Sequence, residues 1–161
     1  MSNYFQHKIV AITGATSGIG RALAENLLKN GAKVAVCGRN QAALDSMKEV
    51  LKSSDLLTFQ ADVSAEDDCR KFIENTVQTF GGLDVLINNA GISMRALFQD
   101  VDLSVLRKSM DINFWGTVYC CKFALPHIMK SHGSIAGISS IAGYKGLPCR
   151  TGYSSSKFAM Q

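Results

Sequence analysis

KIVAITGATSGIG, residues 8–20, decides the fold of this chain. Its first part, KIVAIT (8–13), is a short β-branched run and reads as a buried strand. Its second part, TGATSGIG (13–20), places glycines at 14, 18 and 20, a G-x-x-x-G-x-G spacing. Glycines there permit a tight turn and a close backbone approach, and a helix N-terminus directly behind them favours a phosphate. The spacing differs from the commoner G-x-G-x-x-G, and a plain strand-to-helix turn is the alternative reading. Its place between a first strand and a first helix favours dinucleotide binding.

Outward from this stretch, strand-like and helix-like segments alternate. RALAENLLKNG (21–31) repeats apolar residues at helical spacing and stops at Gly31. KVAVCG (33–38) is a second strand, 41–52 a helix, and LLTFQAD (56–62) a third strand. Residues 65–80 form a helix started by Ser64 and stopped by Gly81 and Gly82. LDVLINNAG (83–91) is a fourth strand with its loop. A long helix is expected from about 102 to 130, with Pro126 kinking its last part or ending it. GSIAGISS (133–140) is a fifth strand, and a last helix begins near Tyr153. Strands joined by crossover helices predict an α/β fold, a doubly wound parallel sheet (Rossmann fold) in three α/β/α layers. The strands lack polar alternation, as expected when both faces are buried. One dinucleotide-binding domain is expected over 1–161.

Composition narrows the class. The chain has 161 residues, is 47% hydrophobic and 19% charged, and should fold around a real core. Its formal charge of +4 comes from scattered residues rather than a basic run, which argues against a nucleic-acid surface. No apolar stretch is long enough for a transmembrane segment. The N-terminal MSNYFQHK lacks an apolar signal-peptide core. Five cysteines without metal-site spacing read as buried or idle thiols in a reducing, cytoplasmic setting, and no metal is expected.

In doubly wound sheets ligands bind at the carboxyl ends of the strands, so the residues after each strand carry the chemistry. After the second comes Gly38-Arg39-Asn40. An acid there would bind the ribose hydroxyls of NAD; Arg39 instead suits a 2′-phosphate or stands as a solvated arginine. NADP(H) is therefore preferred over NAD(H). After the third come Asp62 and Val63, an adenine contact or a helix-start carboxylate. After the fourth, Asn88 and Asn89 can tie neighbouring backbones together. Asn113 lies inside the long helix, where asparagine is a mediocre former, and a local distortion there would expose carbonyls. After the fifth, Ser139 or Ser140 could bond a substrate oxygen or simply satisfy backbone.

The stretch TGYSSSKFAM (151–160) carries Tyr153 and Lys157, four apart and on one face of a helix. A free phenol titrates near ~10, and a neighbouring ammonium favours its ionised form. Such a phenol could exchange a proton while hydride moves to or from a nicotinamide. Tyr4 and Lys8 share the spacing, so context must choose between the pairs.

TGATSGIG, NNAG, Asn113, Ser140 and YSSSK, in this order, closely resemble the short-chain dehydrogenases/reductases, across Lys8 to Gln161. Ser140 precedes Tyr153 by the family's usual separation, which favours it over Ser139. The resemblance implies Tyr153 as general acid/base, Lys157 tuning it and holding the nicotinamide ribose, Ser140 orienting the substrate oxygen, and Asn113 supporting a proton relay. Gly14, Ser17, Gly18, Ile19 and Gly20 would shape the pyrophosphate loop. Arg39 would match the NADP-preferring subgroup, Asp62 and Val63 the adenine site, and Asn89 the stretch beside the cofactor.

The family pattern normally continues with two more strands, a Pro-Gly cofactor loop and a substrate-binding segment. A C-terminally incomplete chain lacking the last strands is therefore expected, with apolar surface uncovered. The implied function is interconversion of a carbonyl and a secondary alcohol with NADP(H). The substrate would be a small molecule near Ser140, Tyr153, Met94, Tyr144 and Leu147, whose apolar flanks hint at a hydrophobic carbonyl. A homodimer or homotetramer is implied for the full-length protein. The alternatives are a non-catalytic NADP(H)-binding sensor or scaffold, and an inactive fragment as the isolated chain.

Overall fold

The computed structural model describes residues 4–161; the first three residues of the N-terminal stretch, and of the expected 1–161 domain, lie outside the described residues. Five parallel strands form one sheet in the order β3-β2-β1-β4-β5. They are β1 (Ile9–Thr13), β2 (Lys33–Gly38), β3 (Leu56–Gln60), β4 (Val85–Asn88) and β5 (Ser134–Gly137). Six α-helices cross over between or follow them: α1 (Gly18–Lys29), α2 (Gln41–Leu51), α3 (Glu66–Phe80), α4 (Leu103–Met110), α5 (Gly116–Ser131) and α6 (Thr151–Met160). From β1 the chain winds outward through β2 and β3, then returns to the other side of β1 with β4 and β5. The strand order therefore reverses between β1 and β4, and their carboxyl ends open a crevice there.

Strand side chains alternate between two apolar layers. Val10, Ile12, Val34, Val36 and Leu56 face Ala24 and Leu27 of α1 and Leu44 and Met47 of α2. Ala11, Ala35, Cys37 and Leu86 face Phe72 and Ile73 of α3 and Cys120, Ala124 and Ile128 of α5. The second layer pairs small strand residues with bulky helical ones, so the two surfaces interdigitate. Registry follows the pattern, with Val10 opposite Val34 on one side and Val85 on the other.

The two faces are not covered equally along the sheet. All four residues of β5 are exposed, so the expectation of strands buried on both faces fails at this edge. β5 pairs on one side only, with β4, and Ile135 retains 39% exposure.

The long helical stretch departs from expectation in two places. Pro126 lies inside α5, which runs on to Ser131. Proline removes the N–H that would reach the carbonyl of Lys122, but both residues are on the exposed face, where water can take its place. The irregularity sits earlier, as a π-turn over Asp111–Trp115, where the Gly116 N–H bonds to the Asp111 carbonyl five residues back. Ser64 does not cap α3. Ala65 holds that position, while the Ser64 hydroxyl donates to Asp62 at 2.7 Å. Glu66, Asp67 and Asp68 in the first turn complement the helix dipole instead. α1 begins at Gly18, three residues earlier than its apolar periodicity indicates, because the glycine turn itself passes into the helix. Among the described residues no helix is long and apolar enough to cross a membrane.

Candidate active site

The crevice at the strand-order reversal is a cleft of about 350 Å³. Of the expected cofactor residues, Gly14, Ser17, Arg39, Asp62, Val63 and Asn89 line it; Gly18, Ile19 and Gly20 do not. Gly14 adopts φ +65°, and a Cβ there would lie 2.6 Å from the Cα of Ala90. Only glycine lets the β1 turn press this close against the β4 loop. Gly20 sits behind the cleft, and its added Cβ would meet Asn89 Nδ2 at 2.4 Å. That vacated space admits the Asn89 amide, which donates to the carbonyls of Thr13 at 3.0 Å and Gly14 at 2.9 Å. The Thr13 hydroxyl accepts the N–H groups of Asn89 and Ala90, both at 3.0 Å. The ends of β1 and β4 are thus stitched together across the switch point. The Ser17 side chain precedes α1 without making a capping bond, so its hydroxyl stays free at a helix N-terminus. Ile19 is 60% exposed.

Backbone held open by glycine, a free hydroxyl and a helix start suit a pyrophosphate. At the far end of the cleft, β2 ends at Gly38 and is followed by Arg39 and Asn40, with no carboxylate among them. Asp62 divides its functions: its carboxylate accepts from the Ser64 N–H at 3.0 Å and hydroxyl at 2.7 Å. Partial burial opposes its charge, but the Ser64 hydrogen bonds, helped by the Arg39 and Lys108 cations, outweigh this and hold the carboxyl below 3.8. Asp62 is therefore both a turn-forming carboxylate and part of the cleft wall.

The expected catalytic residues lie outside that cleft, and two of them, Asn113 and Lys157, meet its rim at Gly91. A side chain there would begin 3.2 Å from Asn113 Oδ1 and 3.6 Å from Lys157 Nζ. Asn113 sits at the centre of the π-turn and is fully buried. Its Oδ1 accepts the Ile92 N–H at 2.8 Å, while its Nδ2 donates to the Ile92 carbonyl at 2.9 Å and to Ser156 Oγ at 2.8 Å. One amide thereby fixes the loop after β4 to α6. Lys157 is 4% exposed and donates to the Ile138 carbonyl at 2.7 Å. Burial pushes its ammonium below the ordinary 10.5. Its Nζ lies 6.0 Å from the centroid of the Tyr153 ring. Tyr153 is half-buried, and its hydroxyl makes no hydrogen bond among the described residues. Ser140 accepts the Ala142 N–H at 3.1 Å, whereas Ser139 accepts from Gln161 at 2.5 Å. Tyr4, the other tyrosine with a lysine four residues on, lies 64% exposed ahead of β1, at the opposite end of the sheet.

Several participants escape a reading of motifs. Ser156 and the Ile92 backbone are the partners that make Asn113 useful; the signal was a poor helix former with no visible reason to be there. Ala61 and Ile112 complete the cleft, while Thr13, Thr16, Ala90 and Gly91 fall inside the TGATSGIG and NNAG stretches without a role of their own in that reading. All five cysteines are free. Cys37, Cys69 and Cys120 are buried in the α3/α5 layer, and burial drives the Cys37 thiol upward, far from a reactive thiolate.

Comparison with known proteins agrees with this geometry. Residues 8–161 match the family described as "short chain dehydrogenase". The chain is 45% identical over 157 residues to 11-beta-hydroxysteroid dehydrogenase A of Arachis hypogaea, covering 95% of this chain and 45% of that protein. It is 43% identical to 11-beta-hydroxysteroid dehydrogenase-like 2 of Arabidopsis thaliana, covering 95% and 51%. The chain thus spans about half the length of the curated relatives it matches. Levodione reductase superposes with TM-score 0.91 at 28% identity, over 97% of this chain and 63% of that one. A short chain dehydrogenase/reductase from Burkholderia phymatum, solved in complex with NAD, superposes with TM-score 0.92 at 25% identity, over 96% and 57%. With the family match spanning the sheet, the glycine turn and the tyrosine–lysine helix together, the chain belongs to the short-chain dehydrogenase/reductase family.

Proposed function

We propose that this chain forms the cofactor-binding and catalytic part of an NADP(H)-dependent oxidoreductase that interconverts a carbonyl and a secondary alcohol. The observation carrying the proposal is the meeting of Asn113, Lys157 and the cleft at Gly91, with the Tyr153 ring 6.0 Å from the lysine. The cofactor, when bound, supplies or takes up a hydride. Gly14, Ser17 and Gly20 shape the place for its pyrophosphate; Gly18 and Ile19 complete the turn into α1. Val63 and Asp62 flank the adenine, and Asn89 secures the wall beside it. The guanidinium of Arg39, which lines the cleft, would hold a 2′-phosphate, which NAD lacks.

Tyr153 gives a proton to the forming alkoxide or takes one from the alcohol at its phenolic oxygen. Lys157, held by the Ile138 carbonyl, keeps a positive charge beside the ring and binds ribose hydroxyls. Ser140 orients the substrate oxygen, and the π-turn at Asn113 supports proton exchange with water. The relatives named as hydroxysteroid dehydrogenases, together with Ile141 and Tyr144 at 70% and 76% exposure, favour an apolar substrate. Unpaired thiols fit a reducing compartment such as the cytoplasm. The domain extends over 1–161 as one dinucleotide-binding unit.

The test is a titration of NADPH against NADH with wild type and Arg39→Asp. NADPH should bind wild type at least tenfold more tightly, and the variant should lose or invert that preference. Equal affinities in wild type would refute the assignment of Arg39.

A further inference from the structure

Tyr153 has a second cationic neighbour that proton exchange does not use. Arg150 immediately precedes α6, and its guanidinium carbon lies 5.8 Å from the Tyr153 ring centroid, over the ring. Lys157 stands 6.0 Å from the same centroid. Arg150 is half-buried and donates through Nη1 to Ser93 Oγ. The adjacent Cys149 carbonyl accepts the Ala96 N–H at 2.9 Å. One bond therefore holds the guanidinium and the other ties the adjacent backbone, where the loop after β4 meets the start of α6.

A guanidinium carries five N–H donors in a rigid fork, and Ser93 takes one. Among the described residues no carboxylate pairs with Arg150, nor with Arg95, Lys145 or Lys157. The sequence explains why: residues 85–99 and 133–161 contain no aspartate or glutamate. Elsewhere the chain readily pairs its cations, as Arg21 does with Glu25 and Arg70 with Asp67 and Glu74. A half-buried arginine, fixed beside a candidate acid/base and left with unused forked donors, matches a planar anion. Tyr144 and Ile141, largely exposed after β5, add apolar surface on the same segment.

We infer that Arg150 is a specificity-determining residue that binds a carboxylate of the substrate, which makes the substrate class an apolar oxo or hydroxy acid with its carboxylate close to the reacting carbon. The inference rests on the reading of Tyr153 as the acid/base, and binding separates the two. The aryl ketone 4-oxo-4-phenylbutanoate and its methyl ester differ in one charge. Both are titrated calorimetrically into the protein, with saturating NADP+ and again without it. The acid should bind wild type at least tenfold more tightly than the ester. Arg150→Gln should remove that advantage while leaving the ester within twofold, and Arg150→Lys should keep part of it. Ser93→Ala, which loosens the tether but keeps the charge, should preserve the preference.

Equal binding of acid and ester by wild type overturns the inference, whatever the variants do. So does an equal weakening of both compounds in Arg150→Gln, which would make Arg150 a strut for Tyr153. Preserved acid preference together with unchanged turnover in Tyr153→Phe would refute proton exchange at Tyr153 yet leave the carboxylate site standing.

Discussion

At the scale of single residues the site depends on a few side chains with distinct duties, and these separate by measurement. Tyr153→Phe removes one oxygen and leaves the ring near Arg150 and Lys157. Turnover should fall by about 10²-fold or more, the usual worth of a general acid/base, with NADPH affinity unchanged. Unchanged turnover would end the role of Tyr153. Lys157 is testable through stability. Its buried ammonium is held below 10.5, so between its folded value and 10.5 the unfolded chain binds more protons. Stability contributed by this group therefore rises with pH across that window. Urea melts of wild type and Lys157→Met from pH 7 to 10.5 should show wild type gaining on the variant as pH rises. A pH-independent difference would exclude the burial effect. Tyr153 and Lys157 were legible as residue types at a spacing, but Tyr4 and Lys8 show the same spacing. What distinguishes them is placement at the carboxyl or the amino end of the sheet.

At the scale of elements, the π-turn between α4 and α5 is the feature with most consequence. Periodicity reports a long helix there because apolar positions continue on one face through the widened turn. It cannot register one extra residue in a helical turn, since the change lies in backbone hydrogen bonding. The only trace was Asn113 itself, a residue with poor helix propensity in a helical stretch. Its amide satisfies both the N–H and the carbonyl of Ile92 and also Ser156. Asn113→Ala should cost about 3 kcal/mol, because two partly buried backbone groups and the buried Ser156 hydroxyl lose their partner. Ser156→Ala, which removes one of these bonds, should cost about 1 kcal/mol. Chemical denaturation resolves the two, and a cost for Asn113→Ala no larger than for Ser156→Ala would show that the Ile92 contacts are dispensable. Pro126 teaches the complementary lesson. Its ring forbids one hydrogen bond, but on an exposed face water takes that carbonyl and the helix continues.

At the scale of the whole molecule, the doubly wound order was readable because each strand is a short apolar run followed by its own turn or helix. The uneven burial was readable only in general form, as apolar surface left uncovered where the family's last strands are missing; that it falls on β5 depends on what lies beside that strand rather than on its own four residues. The same long-range dependence governs stability. Thr13, Gly14, Asn89 and Ala90 are the stitches at the cleft between the β1-β2-β3 half and the β4-β5 half. A cofactor lying across that seam binds only when both halves are in register, so its binding energy adds to the folding energy. At 100 times its dissociation constant NADPH should stabilise the chain by about 2.7 kcal/mol. For a chain of this size that corresponds to a rise in Tm of about 5 to 11 °C. NADH at the same concentration should give a smaller rise, because Arg39 finds no 2′-phosphate on it. Asn89→Ala removes the bonds to the carbonyls of Thr13 and Gly14 and so loosens the seam. It should lower both the starting Tm and the NADPH-induced shift at fixed ligand concentration. Differential scanning fluorimetry over a ligand series decides the matter: a variant with lower Tm but an undiminished NADPH shift would mean that the seam supports the fold without shaping the cofactor site.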